Sequence, residues 1–130
     1  MIRHKIDVRG YWTIISYYDI TEEWYSEVVK ELKLYGARKK DIKAIYDEMF
    51  VKHGYGFSFT NPDEETSIIG VIRTNSEEEF LDTVVHEADH VKNAISEYYN
   101  ANTLGEDGAH LIGFIVKQSY KVFSKFLCKC

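Results

Sequence analysis

A long amphipathic stretch, residues 76–99, constrains the fold of this chain more than any other segment. Ser76 can cap a helix while Glu79 reaches back to it, which is the arrangement called a capping box. Apolar residues then recur at steps of three and four, as they do on one face of a helix: Phe80, Val84, Ala88, Val91, Ile95 and Tyr98. The sequence therefore predicts a helix from about 77 to 99 with one face in a core.

This predicted helix carries two histidines four residues apart, with a glutamate directly after the first: His86, Glu87 and His90. Residues i and i+4 lie on the same side of a helix, so both imidazoles can bind one metal ion. The spacing His-Glu-x-x-His is typical of zinc peptidases, which hold the ion and a general base on one helical turn. The chain has only 5 His, so this spacing has a low probability of arising by chance. A surface helix with two solvated histidines is therefore the less favoured interpretation.

A second predicted helix begins near residue 105 and could supply a third ligand. An acidic residue in its first turn would complete a site of two histidines and one carboxylate, with the fourth position left for water. We predict Glu106 as that ligand, with Asp107 as the nearest substitute and His110 as a third possibility. The competing interpretation is that the two carboxylates only interact favourably with the helix dipole.

Two segments with strand character precede the motif helix, at 55–60 and 67–74. Both are rich in aromatic and β-branched residues, and the Asn-Pro-Asp sequence between them predicts a turn. The pair therefore predicts an antiparallel hairpin that leads into the motif helix.

The first half of the chain is predicted to be scaffold. Residues 11–18 favour a strand, and the ranges 22–35 and 39–52 have the apolar periodicity of helices. With the hairpin and the two later helices, this order predicts a single α+β domain over residues 1–130. We expect a small antiparallel sheet of about three strands, with the helices on one of its faces.

Composition and charge exclude several classes of function. The net charge of −5 at pH 7 argues against a nucleic-acid partner, because phosphate binding needs a basic surface. No apolar run reaches the length of a membrane span, and Met1–Lys5 is not followed by the apolar region of a signal peptide. Cys128 and Cys130 are too few for a disulfide framework. We therefore expect a cytoplasmic protein without a membrane or nucleic-acid partner.

The motif His86–His90, followed after a loop by Glu106, resembles the zincin metallopeptidases and, more narrowly, the gluzincins. The resemblance covers about residues 55–127 and extends to small zincin peptidases of bacteria and their phages. It implies a zincin-like fold and one zinc ion per chain, bound by His86, His90 and Glu106. It also implies hydrolysis of peptide or protein substrates, with Glu87 as the general base and an exposed strand that binds extended peptide. We expect the segment 67–74 to be that edge strand.

Two positions depart from the pattern of the family. Asp89 is charged where many members carry an uncharged residue, and His110 stands where many gluzincins have an aspartate that orients a histidine. The alternative function is therefore a non-catalytic zincin-like module that binds zinc or a protein partner. A closed site with four protein ligands, His110 replacing water, would favour that alternative. The intact Glu87 favours a peptidase, because a purely structural site needs no base.

Overall fold

A single mixed sheet of four strands forms the centre of the fold, in the spatial order β1-β2-β4-β3. The computed structural model describes residues 1–74, 76–100 and 106–127, except for the side chains of 106 and 125–127. The strands are β1 (Ile2–Val8), β2 (Trp12–Ile20), β3 (Gly56–Asn61) and β4 (Thr66–Ile72). The pairs β1–β2 and β3–β4 are antiparallel, whereas β2 and β4 are parallel.

Four α-helices accompany the sheet among the described residues: α1 (Tyr25–Leu34), α2 (Lys39–Tyr46), α3 (Glu77–Tyr99) and α4 (Glu106–Leu127). Short 3₁₀ turns lie at Glu22–Trp24 and Pro62–Glu64, and α2 continues into a π-helical turn at Asp47–Val51. None of the helices in the described ranges is both long and apolar enough to cross a membrane.

The predicted bounds of the motif helix are confirmed, but only half of the predicted capping box forms, because the Ser76 N–H donates to Thr74 Oγ1 and not to Glu79. The Ser76 hydroxyl accepts a hydrogen bond of 3.2 Å from the Glu79 backbone N–H, which satisfies one of the free donors of the first turn. The helix ends at Asn100, whose φ of 53° is the left-handed conformation common at helix C-termini.

The α+β class and the hairpin are confirmed, but the predicted sheet was wrong in three respects. It has four strands, it is mixed rather than antiparallel, and helices cover both of its faces. The missed strand is β1, where Ile6 and Val8 are buried while Arg3, Lys5 and Asp7 alternate with apolar positions. This is the period of an edge strand with one charged face, but no element was predicted from the sequence before residue 11.

Two separate cores hold the three layers together. Helices α3 and α4 cover one face of the sheet with a core of Ile6, Val8, Trp12, Ile14, Tyr18, Ile69, Val71, Phe80, Val84, Ala88, Val91, Ile95, Ile115 and Phe123. Helices α1 and α2 cover the other face with a core of Ile15, Tyr17, Ile20, Tyr25, Val28, Leu32, Ile45, Met49, Phe57 and Ile68. Both cores can form because strand side chains point alternately to the two faces.

The placement of β4 between β2 and β3 decides which edge of the sheet is open. The strand β4 pairs on both sides, so the prediction that 67–74 is the edge strand was wrong. The edge on this side is β3, which among the residues that the structure describes pairs only with β4. The continuous burial of Thr66–Val71 reflects this central position, because both faces of β4 lie in a core.

Helix α4 runs antiparallel to α3. Near its C-terminal end, the Phe123 ring stacks on Phe80 with 3.5 Å between the ring centroids, and the Tyr120 hydroxyl donates a hydrogen bond of 3.1 Å to Glu77. Glu77 and Phe80 both belong to the first turn of α3. The N-terminal turn of α4 therefore lies towards the C-terminal end of α3.

Candidate metal centre

His86 and His90 project from an exposed flank of α3, and their Nε2 atoms lie 3.2 Å apart. The opposite face of the helix is buried in the core of the domain, through Phe80, Val84, Ala88 and Val91. Packing therefore fixes the rotation of α3 about its axis and leaves both imidazoles in contact with solvent. Their rings meet edge to face, with 4.7 Å between the centroids.

The separation of these two nitrogens fits a single metal ion. At the usual zinc–nitrogen distance of about 2.05 Å, two nitrogens 3.2 Å apart subtend an angle of about 100° at the ion. This is close to the tetrahedral angle that zinc prefers. Potential ligand atoms of His86, Glu87 and His90 all lie within 4.8 Å of one another. Of the residues that the structure describes, these three form the only group of this kind, and the group could hold a metal ion.

Glu87 differs from the two histidines because its side chain is buried, with 5% of the residue exposed. Burial is the main cause that raises the pKa of its carboxyl group, because desolvation disfavours the charged form. The charges of His86 and His90 and a hydrogen bond from Ser58 lower the pKa of Glu87 in opposition, and the charge of Glu48 raises it further. The carboxyl group is thus held in a partly desolvated position next to both imidazoles.

A glycine in the edge strand allows Glu87 to occupy this position. A Cβ atom on Gly56 would lie 2.5 Å from the Gly70 carbonyl oxygen, 2.7 Å from Thr83 Cγ2 and 3.4 Å from Glu87 Oε2. The first two distances are shorter than van der Waals contact allows, so a side chain at this position would displace β3 from both β4 and α3. Gly56 therefore permits the close approach that brings the strand against the motif helix.

An open cavity of about 410 Å³ lies in front of the histidine pair. Its walls come from α3, from β3 and from the C-terminal part of α2 with the turn that follows. The lining residues are Ala44, Ile45, Glu48, Gly56, Phe57, Ser58, His86, Glu87 and His90. The cavity thus places the possible metal-binding group beside the open edge of the sheet.

The predicted third ligand is not placed by these observations. Glu106 is the first residue of α4, but its side chain lies outside the described residues, so its role as a ligand stays a prediction. The two substitutes, Asp107 and His110, line a different cavity of about 240 Å³ together with Arg9 and Tyr11. The structure therefore separates Asp107 and His110 from the histidine pair. Cys128 and Cys130 lie outside the described residues.

Asp89, the charged residue inside the motif, does not line the cavity. Its carboxylate accepts a hydrogen bond of 2.7 Å from the Lys92 ammonium group, and this bond is the main cause that lowers the pKa of Asp89. The negative charge of Asp89, which departs from the pattern of zincins, is thus paired with Lys92, three residues further along the same helix.

Sequence reasoning missed Glu48, Gly56 and Ser58 as site residues. Glu48 lies on a helix that was predicted as scaffold, and nothing in the local pattern links it to the motif. A glycine inside a strand pattern signals a close backbone approach, so Gly56 could have been singled out. The partner in that approach could not have been identified, because it depends on how α3 packs on the sheet.

The chain was compared with protein family models, with curated proteins and with solved structures, and nothing matched in any of the three. The resemblance to zincins therefore rests on the motif and its surroundings.

Proposed function

We propose that this chain is a zinc-dependent peptidase of the zincin type, which hydrolyses peptide bonds with a metal-activated water molecule. The observation that carries the proposal is the pair of exposed imidazole nitrogens 3.2 Å apart, with a buried glutamate on the same helical turn. A site with a purely structural metal ion would have no use for an additional carboxylate at that position.

The side chains have distinct roles in this proposal. His86 and His90 bind the ion through their Nε2 atoms, and Glu106 is the predicted third ligand. When bound, zinc lowers the pKa of a coordinated water molecule and polarises the carbonyl group of the substrate. Glu87 accepts a proton from the attacking water on its carboxylate and then donates a proton to the leaving amine. Ser58 and the walls of β3 and α3 keep the Glu87 carboxylate oriented towards the cavity.

The open edge of β3 supports a peptide as the substrate. The Ile72 N–H donates a hydrogen bond of 3.0 Å to the Tyr55 carbonyl, so the main-chain groups of residue 55 face β4. Main-chain direction alternates along an antiparallel strand, so those of Gly56, Ser58 and Thr60 face away from β4. An extended peptide can pair with such free groups. Because Gly56 and Ser58 also line the cavity, a peptide held there would pass in front of the histidine pair.

The proposal is tested first by the metal content of the purified protein, measured by elemental mass spectrometry after zinc is added and excess removed. We expect about one zinc per chain in the wild type and its loss in His86→Ala, since that variant keeps only one imidazole and the predicted carboxylate ligand, and stable zinc sites have at least three protein ligands. Glu87→Gln should keep the zinc and the fold but lose hydrolysis of a peptide library. Glu97→Gln is the matched control, because it makes the same change at an exposed position of the same helix.

Three outcomes would contradict parts of the proposal. A wild-type protein without zinc would leave the peptidase without its electrophile. Full hydrolysis by Glu87→Gln would remove Glu87 from the role of general base. Zinc binding without hydrolysis of any peptide by the wild type would instead support the alternative, a non-catalytic zinc-binding or interaction module.

A further inference from the structure

Glu48 is a carboxylate in the wall of the cavity that has no role in the chemistry proposed above. It lies in the π-helical turn Asp47–Val51, which continues α2, and it lines the cavity together with residues of α3 and β3. The residue is exposed, and within the described part of the chain its side chain has no hydrogen bond or ion pair. An unpaired carboxylate beside a cavity is available to a cationic group of a ligand.

Apolar residues line part of the same cavity. Ala44 and Ile45 come from α2 and Phe57 from β3, and the described lining residues include no lysine or arginine. The cavity thus combines apolar surface with a carboxylate at its exposed rim.

We propose that Glu48 is a specificity-determining residue, which selects peptides with a lysine or arginine side chain close to the scissile bond. The aliphatic stem of such a side chain packs against Ala44, Ile45 and Phe57, while its charged end reaches Glu48 at the exposed rim. Long cationic side chains commonly bind in this way, with the stem on an apolar surface and the charge near water. The proposal rests on the peptidase function proposed above.

The test compares zinc-loaded wild type with Glu48→Gln on two peptides. Sites that the wild type cleaves in a peptide library are identified by mass spectrometry, and a matched pair is made with lysine or norleucine at the position flanking the cut. Norleucine keeps the stem and removes the charge. We expect the wild type to prefer the lysine peptide in kcat/KM by up to about fivefold, which corresponds to the upper end of what an exposed ion pair contributes, about 1 kcal/mol. The ratio should fall to about one in Glu48→Gln.

Two further variants and a second readout separate specificity from other roles. Glu64→Gln removes one negative charge from an exposed residue that does not line the cavity, and it should keep the wild-type ratio. Glu48→Lys should reverse the preference towards glutamate at the same position. The zinc content of Glu48→Gln should equal that of the wild type, because in this proposal Glu48 contacts substrate and not the ion.

The failures are distinguishable. Cleavage by the wild type without a preference for basic residues, or the same ratio in Glu48→Gln, would overturn the role of Glu48 and leave the peptidase intact. Loss of zinc in Glu48→Gln would make Glu48 a metal ligand and would also overturn this proposal. A wild type that neither binds zinc nor cleaves any peptide would remove the proposed function, and the specificity with it.

Discussion

Replacing Gly56 with alanine tests whether the close contact between β3 and α3 builds the site. The added Cβ would meet the Gly70 carbonyl oxygen at 2.5 Å and Thr83 Cγ2 at 2.7 Å. One of these neighbours is backbone and the other is a β-branched side chain on α3, so neither can move cheaply. The strand β3 must therefore shift by several tenths of an ångström relative to both β4 and α3.

Two opposing terms determine the size of the effect. Overpacking at a buried position costs about 1–3 kcal/mol, whereas replacing glycine with alanine gains about 0.4–1 kcal/mol by restricting the unfolded chain. We therefore expect Gly56→Ala to be destabilised by about 1–2 kcal/mol, which lowers Tm by about 3–8 °C in a domain of this size. The measurement is thermal and urea denaturation followed by circular dichroism.

Two companion variants make this prediction specific. Gly113→Ala introduces a Cβ on the exposed side of α4 where nothing lies within 4 Å, so it should stabilise the protein by up to about 1 kcal/mol. Thr83→Ser removes Cγ2 but keeps the hydroxyl that bonds the Glu79 carbonyl at 2.9 Å. The double variant Gly56→Ala, Thr83→Ser should therefore recover part of the stability that Gly56→Ala alone loses, with a coupling energy between the two substitutions of about 0.5 kcal/mol or more.

Two results would contradict a close contact at Gly56: a Gly56→Ala variant as stable as the wild type, or a double variant in which Thr83→Ser restores none of the lost stability. Either result would mean that β3 and α3 do not approach as closely at Gly56 as the structure places them. The burial of Glu87 would then need another explanation, since the same glycine lies in contact with its Oε2 atom.

Two further predictions concern stability away from the site. Phe80→Ala should lower the free energy of unfolding, measured by urea denaturation, by about 3–5 kcal/mol, because the ring is 1% exposed and stacks on Phe123. Phe80→Leu loses the stacking but fills most of the space, so it should cost clearly less; equal losses would show that the cavity left by alanine does not destabilise the domain. The hydrogen bond from Arg73 is the main cause that lowers the pKa of Asp19 in the folded state. The stability contributed by this ion pair is therefore fully present above the unfolded pKa of about 3.9, and it is lost as the pH falls through the pKa of Asp19 in the folded protein. Asparagine tolerates the left-handed φ of 61° at this position. Asp19→Asn should therefore lower the free energy of unfolding by up to about 1 kcal/mol at pH 7 and by progressively less below pH 4. A loss that is independent of pH would contradict the ion-pair explanation.

Several features of the site could be predicted from the sequence because they depend on neighbours along the chain. The limits of α3 follow from the Ser76 cap and the apolar stripe, and the i, i+4 spacing places His86 and His90 on one flank. The hairpin of β3 and β4 follows from two strand patterns around a short turn that contains Pro62. These contacts span only a few residues, so local geometry determines them.

Other features of the site depend on contacts between residues that are distant in the sequence. The parallel register of β2 with β4 joins Thr13 to Thr66, and no local pattern records that pairing. It makes β4 a central strand and β3 the open edge, the reverse of the arrangement expected from the sequence. The same packing brings Glu48 from the second helix to the cavity in front of α3.

The possible chemistry of this protein thus follows from local sequence, whereas long-range packing sets where that chemistry is accessible. Two imidazoles and a carboxylate within one helical turn are set by the 3.6-residue period of the α-helix, whatever else the chain does. Which of these groups is buried, which strand lies beside them and which charge faces them depend on long-range packing. That packing is selected by the burial of both faces of the whole sheet, a property that no single segment carries.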